Sequence, residues 1–342
     1  MLKKYLLVAA AIVCLVVGAV VIGGQHFFSD TVVEEGVIYI SGDEIDRLGY
    51  EQVVDSIVKP RLKYPEAFDI YAERLNLSRR ICSGRYELRN GMNTIDVVRM
   101  LKLGLESPTT LTFNNIRTIP QLAGRLAANI ESDSLSILGA LHSPEMLRRY
   151  GFTTPEELLS IFIPNSYEVY WSILPEKLVA RMNREYQDFW NKERQAKLKE
   201  LKITKMEAIT LASIVYEETT KEDEMPRVAG VYINRLKIGM RLQADPTVKY
   251  AVGDFTIKRV LHKHLKFDSP YNTYIYKGVP PTPIAMPSIA AIDAVLNYEK
   301  HSYLYFCARP IFDGYHNFAR TLREHNANAR SYSKELNRRN IK

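Results

Sequence analysis

Twenty uncharged residues in a row, Tyr5–Gly24, directly follow Lys3 and Lys4, and they constrain more than any other feature where the rest of the chain can fold. At about 1.5 Å per residue, a helix of that length crosses the hydrocarbon core of a bilayer. A cleaved signal peptide has a shorter apolar stretch and small residues at its cleavage site. Here Ala9–Ala11 lies in mid-run, and Gly23-Gly24-Gln25 is followed by the bulky His26-Phe27-Phe28. The pattern predicts an uncleaved signal anchor, with residues 1–28 as a cytoplasmic stub and one transmembrane helix. The lysines flank the run on its N-terminal side. The N-terminus is therefore expected in the cytoplasm, and the remainder outside the inner (cytoplasmic) membrane, in the periplasmic or extracytoplasmic space.

The exported part is long enough for about two domains at roughly 150 residues each. With 46% hydrophobic and 25% charged residues the chain can bury a core, which excludes wholesale disorder. Three cysteines exclude a disulfide-stapled miniprotein, and Cys14 lies inside the apolar run. Cys82 and Cys307 are expected to be unpaired buried thiols, with a bridge between them as the alternative. The net charge of +7 is spread along the chain. No Lys/Arg block carries interleaved aromatics, so no nucleic-acid partner is expected.

From Thr31 to Leu103 the pattern predicts strand, helix, strand, helix. Val37–Ile40 is β-rich, and Glu44 to Ile57 has apolar positions at helical spacing. Gly84–Leu88 reads as a strand ended by Asn90-Gly91. Asn93 or Thr94 can cap a helix Ile95–Leu103 that Gly104 closes. A boundary is expected at Ser107-Pro108, giving a subdomain over 29–106 and a larger one over 107–342. In the latter, Leu111–Phe113 reads as a strand, Pro120–Ile130 as a helix, and Leu174–Leu201 as a helical stretch on the surface.

The densest run of chemically loaded residues begins at Lys205. Met206–Thr220 reads as one helix, on which Leu211, Ile214, Val215 and Glu218 share a face, while Glu217 is turned about 100° toward water. A carboxylate against an apolar face is desolvated, and the negative end of the helix dipole adds to this. Glu217, Glu222, Asp223 and Glu224 crowd the same end with like charge. All three effects favour a carboxylic acid that holds its proton near neutral pH, as general-acid cleavage of a glycosidic bond requires. An ordinary glutamate at a helix end is the alternative. A second helix, Pro226–Leu236, turns Val228, Val231, Tyr232 and Leu236 inward. Asp245 either caps a helix that starts at Pro246 or binds substrate. The stretches Ser269–Tyr274 and Gly278–Ile284 form stiff polar-aromatic loops able to line a sugar groove. His262 and His264 lack a third ligand at metal spacing, so no metal is expected. His316 reads as a hydrogen-bonded core residue.

The strings LASIVYEET, VYINRLKIGMRLQADPTVKY, SPYNTYIYKGVPPTPI and YLYF together closely resemble the endolytic murein transglycosylases, the YceG-like family. The likeness is strong over about residues 205–320. It extends more weakly to FIPNSYEVY (162–170), to the anchor, and to GRYELRNGMNT (84–94), which resembles a LysM-like wall-binding subdomain. It implies an α+β fold and a membrane-anchored lyase of cell wall biogenesis that trims nascent peptidoglycan. The bond cut would join N-acetylmuramic acid to N-acetylglucosamine within glycan strands, leaving 1,6-anhydro ends. Glu218, which stands immediately before Thr in the family's E-x-E-T segment, would serve as general acid and then as base on the muramyl C6 hydroxyl. Tyr216 replaces the more usual glutamate at the first position of that segment, and Val279 replaces a leucine. Asn234, Arg235, Gln243, Asp245, Tyr271, Asn272, Thr273 and Tyr274 match motif positions and would bind substrate. The resemblance implies glycan strands as the partner, with wall-synthesis proteins as further partners. It implies no cofactor, and no lysine stands in a recognisable setting for pyridoxal phosphate.

Two other readings stay open on the sequence. A true muramidase would use Asp245 as a second carboxylate and leave reducing ends. A wall-binding scaffold would mark glycan without cutting it.

Overall fold

The computed structural model describes residues 12–17, 23–257 and 259–339. Most of the run Tyr5–Gly24, and with it the expected anchor, lies outside the described residues. Among the described residues no helix is long and apolar enough to cross a membrane. The fold is mixed α+β and packs as two units. The first holds the chain up to Leu111 together with Ala127–Asp133 and Tyr167–Leu174. The second holds Thr112–Leu126, Ser134–Ser166 and the chain from Pro175 onward.

In the first unit β1 (Gly36–Ile40) and β2 (Gly84–Leu88) pair antiparallel, from Gly36 opposite Leu88 to Ile40 opposite Gly84. Ile38, Ile40, Tyr86 and Leu88 face inward against Phe68 of α2 (Pro65–Arg74) and Val97, Val98 and Leu101 of α3 (Thr94–Leu103). Burying each such side chain contributes about 1.5–3 kcal/mol. Asn93 caps α3 as expected, in a reciprocal box with Asp96. The helix expected over 44–57 is broken. α1 spans only Gly42–Leu48, because Gly49 adopts φ 84°, a left-handed turn that a side chain would strain. Shorter helical turns then run from Tyr50 to Arg61. Beside the stretch expected over 29–106, the first unit also takes in later segments. Glu131, from a later segment, accepts a hydrogen bond from the Gly42 amide at 2.5 Å. Ser172, from another, hydrogen-bonds Glu106. Strand β3 (Thr109–Phe113) pairs with β4 (Asn165–Val169), and the chain crosses between the units within these strands.

The helix expected over 120–130 is α4 (Ile119–Ala127), and the expected surface stretch 174–201 is two helices, α5 (Pro175–Phe189) and α6 (Lys192–Leu201), separated by a fully buried Trp190. Asn191 caps α6. The next helix, α7 (Lys205–Glu218), is opened by a capping box between Thr204 and Glu207. Every residue of α7 from Ala208 to Val215 is buried. The one-sided apolar stripe expected there is thus the visible part of a helix enclosed on all sides. It packs against α8 (Met225–Lys237), α9 (Asp245–Val252) and α10 (Ile289–Leu296). Arg194 of α6 fastens α10 through two 2.9 Å bonds to Asp293. Ser213 of α7 accepts the Ile284 amide at 3.0 Å and so anchors the proline-rich loop.

Strands β5 (Tyr305–Ala308) and β6 (His316–Ala319) pair antiparallel and carry α11 (Leu322–Arg338), a helix with no buried residue. The segment leading into β5 lies hard against α8 at Gly230. A Cβ there would stand 2.5 Å from the Glu299 carbonyl oxygen and 2.6 Å from His301 Nε2. Gly230→Ala is therefore expected to destabilise the protein by about 2–3 kcal/mol, as overpacking against backbone does. Urea unfolding measures this, and a variant of parental stability would show that the 299–301 segment is free to move.

Candidate active site

The C-terminal end of α7, the inner face of α8, the loop before α9 and strand β5 enclose a pocket of about 420 Å³. α7 stops at Glu218, and Thr219 turns to extended backbone, so Glu218 is the last helical side chain and projects into the pocket. Its Oε1 accepts a hydrogen bond of 3.0 Å from the Tyr232 hydroxyl on α8. Tyr232 is itself fully buried, edge-on to Phe306, and burial beside Glu218 raises its pKa well above the ordinary value. It therefore stays a proton donor.

Burial is the main reason that the Glu218 carboxyl is pushed up from 4.5 to about 7. The Tyr232 hydrogen bond pulls it back, the charge of Asp245 pushes it up, and Lys249 and Arg235 pull it down. The like charge that acts on Glu218 is thus Asp245, not the acidic crowd at the helix end. Three of those four acids are engaged elsewhere. Glu217 is held by Arg117 at 2.9 Å through both carboxylate oxygens, Glu224 is bound by His316, and Asp223 accepts from the Tyr315 hydroxyl.

Asp245 does not cap α9. Its helix starts without a side-chain cap, and Asp245 Oδ1 instead accepts the Tyr274 hydroxyl at 2.6 Å, on the pocket wall. Burial, then the bond to Asp245, raises the Tyr274 pKa far above its usual range, so this hydroxyl too remains protonated. Gln243 lines the pocket at φ 51°, held there by its amide bonding the Thr273 carbonyl at 3.1 Å. Arg235 also lines it while donating to the carbonyls of Leu304 (2.6 Å) and Leu242 (2.5 Å).

The other residues matched by motif lie outside this pocket and hold its walls. Asn234 binds the carbonyls of His301 and Tyr303 at 2.8 and 3.1 Å. Asn272 is fully buried and grips the carbonyls of Leu265 and Phe267. Thr273 bonds the Ala244 amide and the Thr247 hydroxyl. The Tyr271 hydroxyl lies 2.6 Å from Thr282, its ring against Tyr250.

Sequence reasoning passed over Tyr305, Cys307, His316 and His325 as pocket residues. His316 is hydrogen-bonded as expected, yet its ring faces the pocket. His325 follows the Thr321 cap of α11 by one turn and stacks on Tyr305, and burial lowers its pKa, which keeps it neutral. Cys82 and Cys307 are both free thiols. Among the described residues no three His, Cys, Asp or Glu side chains converge as metal ligands would.

The sequence profile of the YceG-like family matches residues 45–331. An endolytic murein transglycosylase of Bacillus subtilis is 28% identical over 306 residues, 83% of this chain and 82% of that protein. One of Streptococcus pneumoniae serotype 2 is 25% identical over 306 residues, but this chain spans only about half of it (53%). Among solved structures, a yceG-like protein from Listeria monocytogenes superposes with a TM-score of 0.57 at 28% identity, covering 86% of this chain and 98% of that one.

The shift at Glu218 has a cost that can be measured. The unfolded chain ionises this carboxyl near 4.5 and the folded one near 7, so the folded state is penalised progressively between those values and fully above them. Glu218→Gln is therefore expected to be more stable than the parent at pH 8 by about 3 kcal/mol, and equal to it below pH 4.5. Chemical denaturation at both pH values measures the difference, and a gain independent of pH would show that Glu218 is not held protonated.

Proposed function

The chain belongs to the YceG-like family, and on that footing we propose that it is a lytic transglycosylase of peptidoglycan, cutting the MurNAc–GlcNAc bond within glycan strands to leave 1,6-anhydro-MurNAc ends. The observation that carries this reading is the Glu218 carboxyl, pushed up to about 7 by burial at the wall of a pocket of about 420 Å³. A proton kept to neutral pH is what a sugar leaving group needs, because an unprotonated alkoxide departs slowly.

Tyr232 holds Oε1 of Glu218 by its own hydroxyl proton. The acid proton then sits on the other oxygen, which is left to serve the glycosidic oxygen. As the bond to that oxygen lengthens, positive charge grows at muramyl C1, and the nearby Asp245 carboxylate, oriented by Tyr274, stabilises it. The muramyl C6 hydroxyl attacks C1 from within the same sugar, so neither water nor an enzyme nucleophile is consumed.

The apolar run Tyr5–Gly24 supports a membrane anchor with the folded units outside the cytoplasm, where glycan is made. The compact β–α–β–α part of the first unit supports a LysM-like wall-binding role. An enzyme held this way can trim or terminate strands as they emerge.

A muramidase is the second reading, favoured by one observation: Asp245 is free of any capping duty and lies in the same pocket as Glu218. Mass spectrometry of fragments released from purified murein by the full-length protein and by Glu218→Gln decides between them. Anhydro-muramyl ends from the parent alone are expected. Reducing ends would make the protein a hydrolase, and murein bound by both but cut by neither would make it a scaffold. Activity is also expected to fall as pH rises through about 7, the value at which Glu218 loses its proton. A rate that rises across that range would remove Glu218 from the role of acid.

A further inference from the structure

The acid step leaves one buried carboxylate of the site without a task. Glu224 is 2% exposed, and among the described residues no lysine or arginine pairs with it. It accepts instead from the backbone amide and ring Nδ1 of His316, both at 2.8 Å, and from the Thr219 hydroxyl at 3.3 Å. A carboxylate withdrawn from water is costly unless paired and hydrogen-bonded, so the imidazole is its partner by design of the fold. Accepting the Nδ1 proton selects the tautomer of His316 and leaves Nε2 as the basic nitrogen of the neutral ring.

That ring stands edge-on to Phe306 with centroids 5.2 Å apart, and it lines the pocket that Glu218 enters. No described residue hydrogen-bonds Nε2. Thr219, adjacent to Glu218 in the chain, is tied to the same carboxylate, so Glu224 joins the His316 ring to the segment that leaves Glu218. Carboxylate, imidazole and a substrate hydroxyl in series form the arrangement by which an alcohol is deprotonated as it attacks.

We propose that Glu224 and His316 form the second proton-transfer pair of this site, His316 Nε2 taking the proton of the attacking muramyl C6 hydroxyl. The proposal rests on the transglycosylase reading and moves its base step from Glu218 to His316. Glu218 gives its proton to the glycosidic oxygen, and the C1–O bond breaks with its electron pair going to that oxygen. The C6 oxygen bonds to C1, and the hydroxyl proton passes to Nε2. The imidazolium is then balanced by Glu224, and water returns its proton to the Glu218 carboxylate, which restores the starting state.

Leaving-group dependence separates the two steps. The full-length parent, Glu218→Gln and His316→Asn are assayed on murein and on a muramyl glycan whose C1 carries 4-methylumbelliferone, a phenolate that departs without a proton. Asparagine places its amide N–H where Nδ1 was, so the bond to Glu224 is kept and only Nε2 is lost. Both variants are expected to lose about 10²–10³-fold in turnover on murein. On the aryl substrate Glu218→Gln is expected to recover to within about tenfold of the parent, while His316→Asn stays slow. If His316→Asn does not fold, Glu224→Gln takes its place, with a turnover loss on both substrates at unchanged KM. A Glu218→Gln variant that stays equally inactive on the aryl substrate returns the base step to Glu218 and overturns the proposal. Anhydro products absent from the parent itself would instead sink the transglycosylase reading on which it stands.

Discussion

One buried guanidinium holds the pocket open. Arg235 comes from the inner face of α8 and is only 7% exposed, yet it has no carboxylate partner in the ion pairs of the described residues. Its N–H groups are given to two backbone carbonyls, Leu304 before β5 and Leu242 before α9, and its face lies over the Tyr305 ring at 5.3 Å. The two chain segments it joins are the two walls that face Glu218. A lysine could not do this, since it lacks the planar fork that reaches both carbonyls at once. Burial lowers the pKa of Arg235 from its ordinary value, and its charge in turn pulls that of Glu218 downward. The same group therefore sets the shape of the site and moderates the acidity of its central carboxyl.

Glu217 and Glu218 are neighbours in sequence with opposite fates. Rotation along α7 turns the first to Arg117, where it is a fixed counter-ion, and the second into the pocket, where Tyr232 holds it and, among the described residues, no cation forms an ion pair with it. The difference is geometric, because the two side chains have the same chemistry. It requires that α7 be immovable, which its enclosure from Ala208 to Val215 ensures. Enclosure also supplies the desolvation that keeps the proton on Glu218. Packing and acidity have a single cause here.

Much of this was legible in the chain itself. The β1 and β2 strands, the Asn93 cap and the placement of Glu218 at a helix end against apolar neighbours follow from local pattern, and the structure has them. What pattern could not give is the pairing of distant parts. The acids near Glu218 looked like a repulsive cluster because their partners, Arg117, Tyr315 and His316, lie about a hundred residues away. Asp245 beside a proline looked like a helix cap, and only the folded loop brings Tyr274 to it. Asn272 and Thr273 looked like sugar ligands, but their side chains are taken by backbone groups that no local spacing reveals. His316 reads as core because it sits in a strand, and neither its bond to Glu224 nor the cavity on its other side has a local signature.

The two sides of the pocket differ in how firmly they are held. Glu218 stands on the most enclosed helix of its unit, whereas Leu322 and His325 come from α11, which buries no residue at all. Segments with little buried surface open at small free-energy cost, long before the core does. A glycan strand cut in its interior presents no nearby end to thread through a closed ring of protein. Such a strand would have to be laid in sideways, and the side of the pocket that α11 closes is the one held by no buried residue.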